Sequence, residues 1–177
     1  EAMKKLILIF IFCTSLHANK SIIGFYKDGK MIEKPVIPKE DNQDKKILNT
    51  KSSVRDKIID YAQSKLGAKY VWGATGPNTF DCSGFVQYVY KKSVNMDLPR
   101  VSTDQASYKP KVSLMSMRKG DLVFFETTGL GRISHVGIYM GEKQFIHASS
   151  GGKRVMISSL DTDYYNRSFR WGINPFI

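Results

Sequence analysis

The stretch SHVGIYMGEKQFIHA, residues 134–148, decides the fold. Ser134 to Met140 and Lys143 to Ala148 are apolar runs of strand length, and Gly141-Glu142 between them reads as a hairpin turn. Side chains alternate along a strand, so His135, Gly137 and Tyr139 share one face. Outward from this hairpin, Asp121 to Glu126, Arg154 to Ser158 and Arg170 to Phe176 also read as strands. Upstream, from Ser53 on, three helices separated by loops are expected. Ser53 is expected to cap a helix with Asp56 in its first turn, a stripe of Val54, Ile58, Tyr61, Ala62 and Leu66, and Gly67 as its stop. Tyr70 to Phe80 is a loop rich in Gly, Pro and Asn. Asp81 then caps a second helix whose stripe is Phe85, Val86, Val89 and Tyr90, and Ser102 or Thr103 begins a short third one holding Gln105. Helices first and strands afterwards predict an α+β fold, with N-terminal helices packed on an antiparallel five- to six-stranded sheet.

The N-terminal third reads differently. Glu1-Ala2 resembles a cloning scar ahead of Met3. Lys4-Lys5, the apolar run Leu6 to Phe12 and the small Ala18 read as a secretory signal peptide over residues 3–18, so residues 1–18 are scar and leader. The run is shorter than the roughly 20 residues a bilayer span needs. Acylation at Cys13 is disfavoured by the bulky Phe10-Ile11-Phe12 before it. Residues 19–52 are polar and rich in Lys, Asp and Asn, with Pro35 and Pro38, and read as a basic linker or arm. Within them Ser21 to Tyr26 is an apolar patch of strand length ahead of a turn at Asp28-Gly29. Residues 53–177 are expected to form one compact domain, of a size usual for one core. The formal net charge of +11 suits a polyanionic partner such as cell wall or anionic head groups. No RRM, helix-turn-helix or zinc-finger pattern points to nucleic acid.

Asp81-Cys82-Ser83-Gly84-Phe85 carries the chemistry. Past the leader Cys82 is the sole cysteine, and export would leave it without an internal partner. At a helix start, partial positive charge and unpaired N–H groups are expected to favour its thiolate. Those N–H groups also suit an oxyanion, and Gly84 is expected to leave the approach open. His135 is the expected base, and His147, one hairpin strand away, is placed to orient its ring. A small core cysteine and two ordinary strand histidines are the bland reading. Zinc is disfavoured, since the three residues are far apart in sequence and show no fourth ligand. No metal or cofactor is expected.

Tyr70-Val71-Trp72-Gly73, Asp81 to Val86, Leu98-Pro99-Arg100 with Gln105, Gly120 to Phe125, Ser134 to Tyr139 and Phe145 to Ser149 together resemble the NlpC-type cell-wall cysteine endopeptidases. The chain is most similar to their single-domain Spr type, supported by Ile157 to Leu160 and Tyr164-Tyr165. The resemblance implies a papain-like fold and a Cys82-His135-His147 triad acting through a thioester. It implies that Tyr70 brings its hydroxyl near the thiol, and that Asp81 and Ser83 line the peptide subsite. Trp72 is a further substrate-binding candidate, against the plain alternative that Tyr70 and Trp72 are aromatic core. Arg100 is the best single guess for meeting stem carboxylates. The expected bond is γ-D-glutamyl-diaminopimelate or D-alanyl-diaminopimelate, in the periplasm or cell envelope, with peptidoglycan stem peptides as partner and a monomer without stable membrane insertion. The rivals are an amidase or acyltransferase using the same Cys and His, or a non-catalytic wall-binding module. Ala74 after Gly73, and Val101 after Arg100, depart from the family pattern.

Overall fold

The computed structural model describes residues 22–27, 30–35 and 42–177, with side chains at Thr50 and from residue 53 on. The leader reading of residues 3–18 and the turn at Asp28-Gly29 lie outside the described residues. The chain divides into two units, residues 1–45 and 46–177. The first holds an antiparallel hairpin of β1 (Ile22–Lys27) and β2 (Lys30–Pro35), with Ile22 opposite Pro35 and Lys27 opposite Lys30. The strand expected from Ser21 to Tyr26 is therefore present, shifted by one residue, inside what reads as a linker.

The second unit is built on an eight-stranded sheet in the order β4-β3-β9-β8-β7-β6-β10-β5. Its long strands are β6 (Leu122–Phe125), β7 (His135–Gly141), β8 (Gln144–Ser149), β9 (Arg154–Ser159) and β10 (Phe169–Ile173). These five were legible. The other three, β3 (Lys69–Tyr70), β4 (Thr79–Phe80) and β5 (Lys111–Val112), have two residues each, too short for alternation to register. Because β3 and β4 pair in parallel, the sheet is mixed, which corrects the expected antiparallel five- to six-stranded one.

Helix α1 (Asn42–Gln63) starts well before Ser53, so Ser53 is inside the helix and caps nothing. Ile58, Ile59 and Ala62 are buried, whereas Leu66 lies past the helix end and is exposed. Helix α2 (Cys82–Val94) packs on β7 and β8 through Phe85, Val86, Val89 and Tyr90, which meet Val136, Ile138, Ile146 and Ala148 in the main core. Along β6 the pleat sends Leu122 and Phe124 to this core. Val123 and Phe125 go to a second one with Tyr139, Phe145 and Leu160. Tyr165 packs there from α4 (Asp163–Ser168), a helix the sequence reading did not anticipate. Helix α3 (Ser102–Ser107) completes the unit. The β7–β8 turn centres on Glu142-Lys143, both at positive φ, one residue beyond the expected Gly141-Glu142.

Candidate active site

Cys82 is the first residue of α2, as its sequence context implied. Asp81 is the N-cap and accepts the Gly84 N–H at 2.6 Å. A β-carbon on Gly84 would lie 2.3 Å from the Ala74 carbonyl oxygen. Gly84 therefore makes room for the 71–80 loop rather than leaving the helix end open, contrary to expectation. The loop is held by the Asp81 N–H on the Ala74 carbonyl at 2.9 Å and by the Gly73 N–H on Asp81 Oδ2 at 3.0 Å.

The Cys82 thiol is 8% exposed. The N–H groups of Ser83, Cys82 and Val136 favour its thiolate, but burial first, and then the Asp81 carboxylate, push its pKa up. The expected lowering by the helix start is thus outweighed in the closed site. Val136 follows His135 in β7, so the strand that carries the first histidine also acts on the thiol.

His135 and His147 are joined, Nε2 to Nδ1, at 2.7 Å, with their rings nearly perpendicular. Gly137 makes this possible: a β-carbon there would sit 2.7 Å from the Phe145 ring and 3.3 Å from His147 Cβ. Burial pushes His135 down to about 4 and holds His147 lower still, with His135 a second cause. Both rings are neutral near neutrality, and the bond to His147 leaves Nδ1 of His135 as its other ring nitrogen. The far nitrogen of His147, Nε2, meets Ser158 Oγ at 2.9 Å and the Tyr165 hydroxyl at 3.4 Å.

Tyr70 is half-buried against the main core. Burial first, then Cys82 and Asp81, push its phenol up, which places it in their field and keeps it protonated. Trp72 is 86% exposed, so the core reading fails for it. Arg100 is committed to its neighbours: Nη2 bonds Asp81 Oδ2 at 2.6 Å and the Gly73 carbonyl at 3.0 Å, and Nη1 bonds Asp81 Oδ1 at 3.2 Å and Ser83 Oγ at 3.0 Å. Its terminal N–H groups thus position Asp81 and Ser83. Fully buried Gln105 donates to the Ser83 and Pro99 carbonyls, pinning α3 to the start of α2. Ser158, Tyr165 and this role of Gln105 went unread as parts of the site; the signal available was a hydroxyl in a strand for Ser158, and none singled out Tyr165 or Gln105, which lie in short helices. Among the described residues no cluster of His, Cys, Asp and Glu suits a metal ion.

The chain is 38% identical to murein DD-endopeptidase MepH of Escherichia coli over 108 residues, 59% of this chain and 40% of that protein. It is 30% identical over 164 residues to murein DD-endopeptidase MepS/murein LD-carboxypeptidase of the same organism, which is of the Spr type, covering 92% of this chain and 86% of that one. It thus spans most of MepS but less than half of MepH. A solved NlpC/P60 family protein from Bacillus cereus superposes with a TM-score of 0.64 at 32% identity, over 68% of this chain and 39% of that one. The NlpC/P60 family profile matches residues 67–172, which include all the residues of this site, and the chain belongs to that family.

Proposed function

We propose that the chain is a cysteine-type peptidoglycan hydrolase that cuts stem peptides. The observation that carries this is the buried His135–His147 pair, on the strand whose Val136 backbone, next to His135, favours the Cys82 thiolate. With the thiol pushed up and His135 pushed down, the resting pair is neutral, so the proton moves as the bond forms. Cys82 Sγ attacks the scissile carbonyl carbon while Nδ1 of His135 takes the thiol proton. The N–H groups at the start of α2 receive the oxyanion. His135 then gives its proton to the departing amine, leaving a thioester on Cys82. Water, losing a proton to His135, attacks the thioester carbon and releases the acid, and the proton returns to sulfur.

Asp81, Ser83, Tyr70 and exposed Trp72 form the wall that receives the peptide, with Arg100 holding the first two. Two relatives named as DD-endopeptidases favour the D-alanyl-diaminopimelate cross-link over the γ-D-glutamyl bond. This chemistry belongs in the envelope, with a monomer acting on stem peptides without a cofactor; no described helix is long and apolar enough to cross a membrane. The test is digestion of purified sacculi by wild type and Cys82→Ala, with products identified by mass. Muropeptides cut at a diaminopimelate bond by wild type alone support the reading. Equal release by both overturns it, and cleavage at N-acetylmuramyl–L-alanine gives the amidase.

A further inference from the structure

His147 is fully buried, so every proton on its ring needs a protein partner. One proton lies between His135 Nε2 and His147 Nδ1, and it has two arrangements. If His135 donates, its Nδ1 is bare and able to act as a base, and neutral His147 carries its own proton on Nε2. If His147 donates, the His135 proton sits on Nδ1 and the ring cannot accept from the thiol. The choice rests on what faces His147 Nε2. Ser158 Oγ is there at 2.9 Å, and the Tyr165 hydroxyl lies farther off at 3.4 Å. Burial pushes the Tyr165 phenol up, with the side chains of Ser158 and Ser149 acting the other way, so both hydroxyls lie in its field; Ser149 Oγ accepts the Gly152 N–H at 3.0 Å. The rings of Phe145 and Tyr165 pack on His147, with centroids 4.7 and 5.5 Å from its own.

We infer that Ser158 is a positioning residue that accepts the Nε2–H of His147 and so holds both histidines in the tautomer that leaves His135 Nδ1 free. The inference rests on the hydrolase reading for its consequence, though not for its geometry. Protons run outward from the site: His135 to His147, and His147 to Ser158. A serine hydroxyl takes the acceptor role readily because its oxygen carries two lone pairs and its own proton rotates away from the ring. Without Ser158 the nearest group to Nε2 is the Tyr165 phenol, a better donor than acceptor. It would donate to Nε2, move the His147 proton to Nδ1, and reverse the pair.

The test combines nitrogen-15 imidazole NMR with muropeptide kinetics on the full chain. Wild type should show Nε2–H on both rings. Ser158→Ala should show Nδ1–H on both, with kcat lower by at least about tenfold and KM unchanged, as a wrong tautomer implies. Ser158→Thr, which keeps the oxygen, should restore both readouts. A wild-type His147 protonated on Nδ1, or Ser158→Ala with unchanged tautomers and unchanged kcat, overturns the inference. A wild type that cuts no muropeptide yet shows the outward tautomers, reversed in Ser158→Ala, sinks the hydrolase reading and leaves the inference standing.

Discussion

Acidification should weaken the second unit, and the loss that exceeds ordinary carboxylate titration should trace to the two buried histidines, His135 and His147, with the share of His135 open to direct measurement. The ring titrates at about 4 when folded, against 6.5 for an unperturbed histidine, because burial penalises its charged form. The sign follows from proton counting. Between those values the unfolded chain holds a proton that the folded one lacks, so falling pH favours unfolding. The contribution is intact above 6.5 and is lost as pH falls through 4. Two and a half units correspond to about 3.4 kcal/mol in full, of which about 2.4 kcal/mol is lost between about pH 7 and about pH 4.5. The assay is urea unfolding by far-ultraviolet circular dichroism at both pH values, for wild type and His135→Gln. The amide is neutral throughout, so the difference between the two acid losses isolates this ring from the other titrating groups. Wild type should lose about 2 kcal/mol more than the variant over that interval. Equal losses would show that burial does not hold His135 neutral, and the neutral resting pair would go with it.

Gly84→Ala places a carbon 2.3 Å from the Ala74 carbonyl oxygen and 2.9 Å from Asp81 Oδ1, so loop and helix start must part. It should cost about 3 kcal/mol by urea unfolding and abolish muropeptide release; a loss under about 0.5 kcal/mol would refute the close approach. Arg55→Ala removes the partner of Asp121, which is 1% exposed and paired at 2.7 Å, together with a bond to Asn174. A loss of about 3 kcal/mol is expected, since the carboxylate is left buried and unpaired. Arg100→Ala leaves Asp81 without its counter-ion beside the sulfur, so the pH midpoint for alkylation of Cys82 by iodoacetamide should move up. An unmoved midpoint would show that the guanidinium does not act on the thiol.

The sequence made Cys82 and both histidines legible because each sits in a strong local pattern: a cap before an apolar helix, and two apolar runs around a tight turn. What it hid was set by distance. Two-residue strands have no period; β3 and β5 are strands because β9 and β10 give them partners, and β4 because it pairs on β3 in turn. The space at Gly84 and Gly137 looked open, yet the Ala74 carbonyl fills one and Phe145 with His147 the other. Helix-start electrostatics argued for a thiolate, and a nearby carboxylate with burial reversed the sign. Trp72 reads as core by type, but its loop turns it out to solvent. Ser158 reaches His147 only across a strand pair in which it faces Phe145.

One carboxylate, Asp81, receives the Gly73 N–H, the Gly84 N–H, the Ser83 hydroxyl and both ends of the Arg100 fork. Three stretches of chain proposed above to receive the substrate are thereby knotted at the residue preceding the proposed nucleophile. Remodelling the rim to admit a different peptide would tug on the sulfur itself. Preference and potency should therefore drift together under selection, and a specificity swap confined to the 71–80 loop would require a compensating change at Arg100.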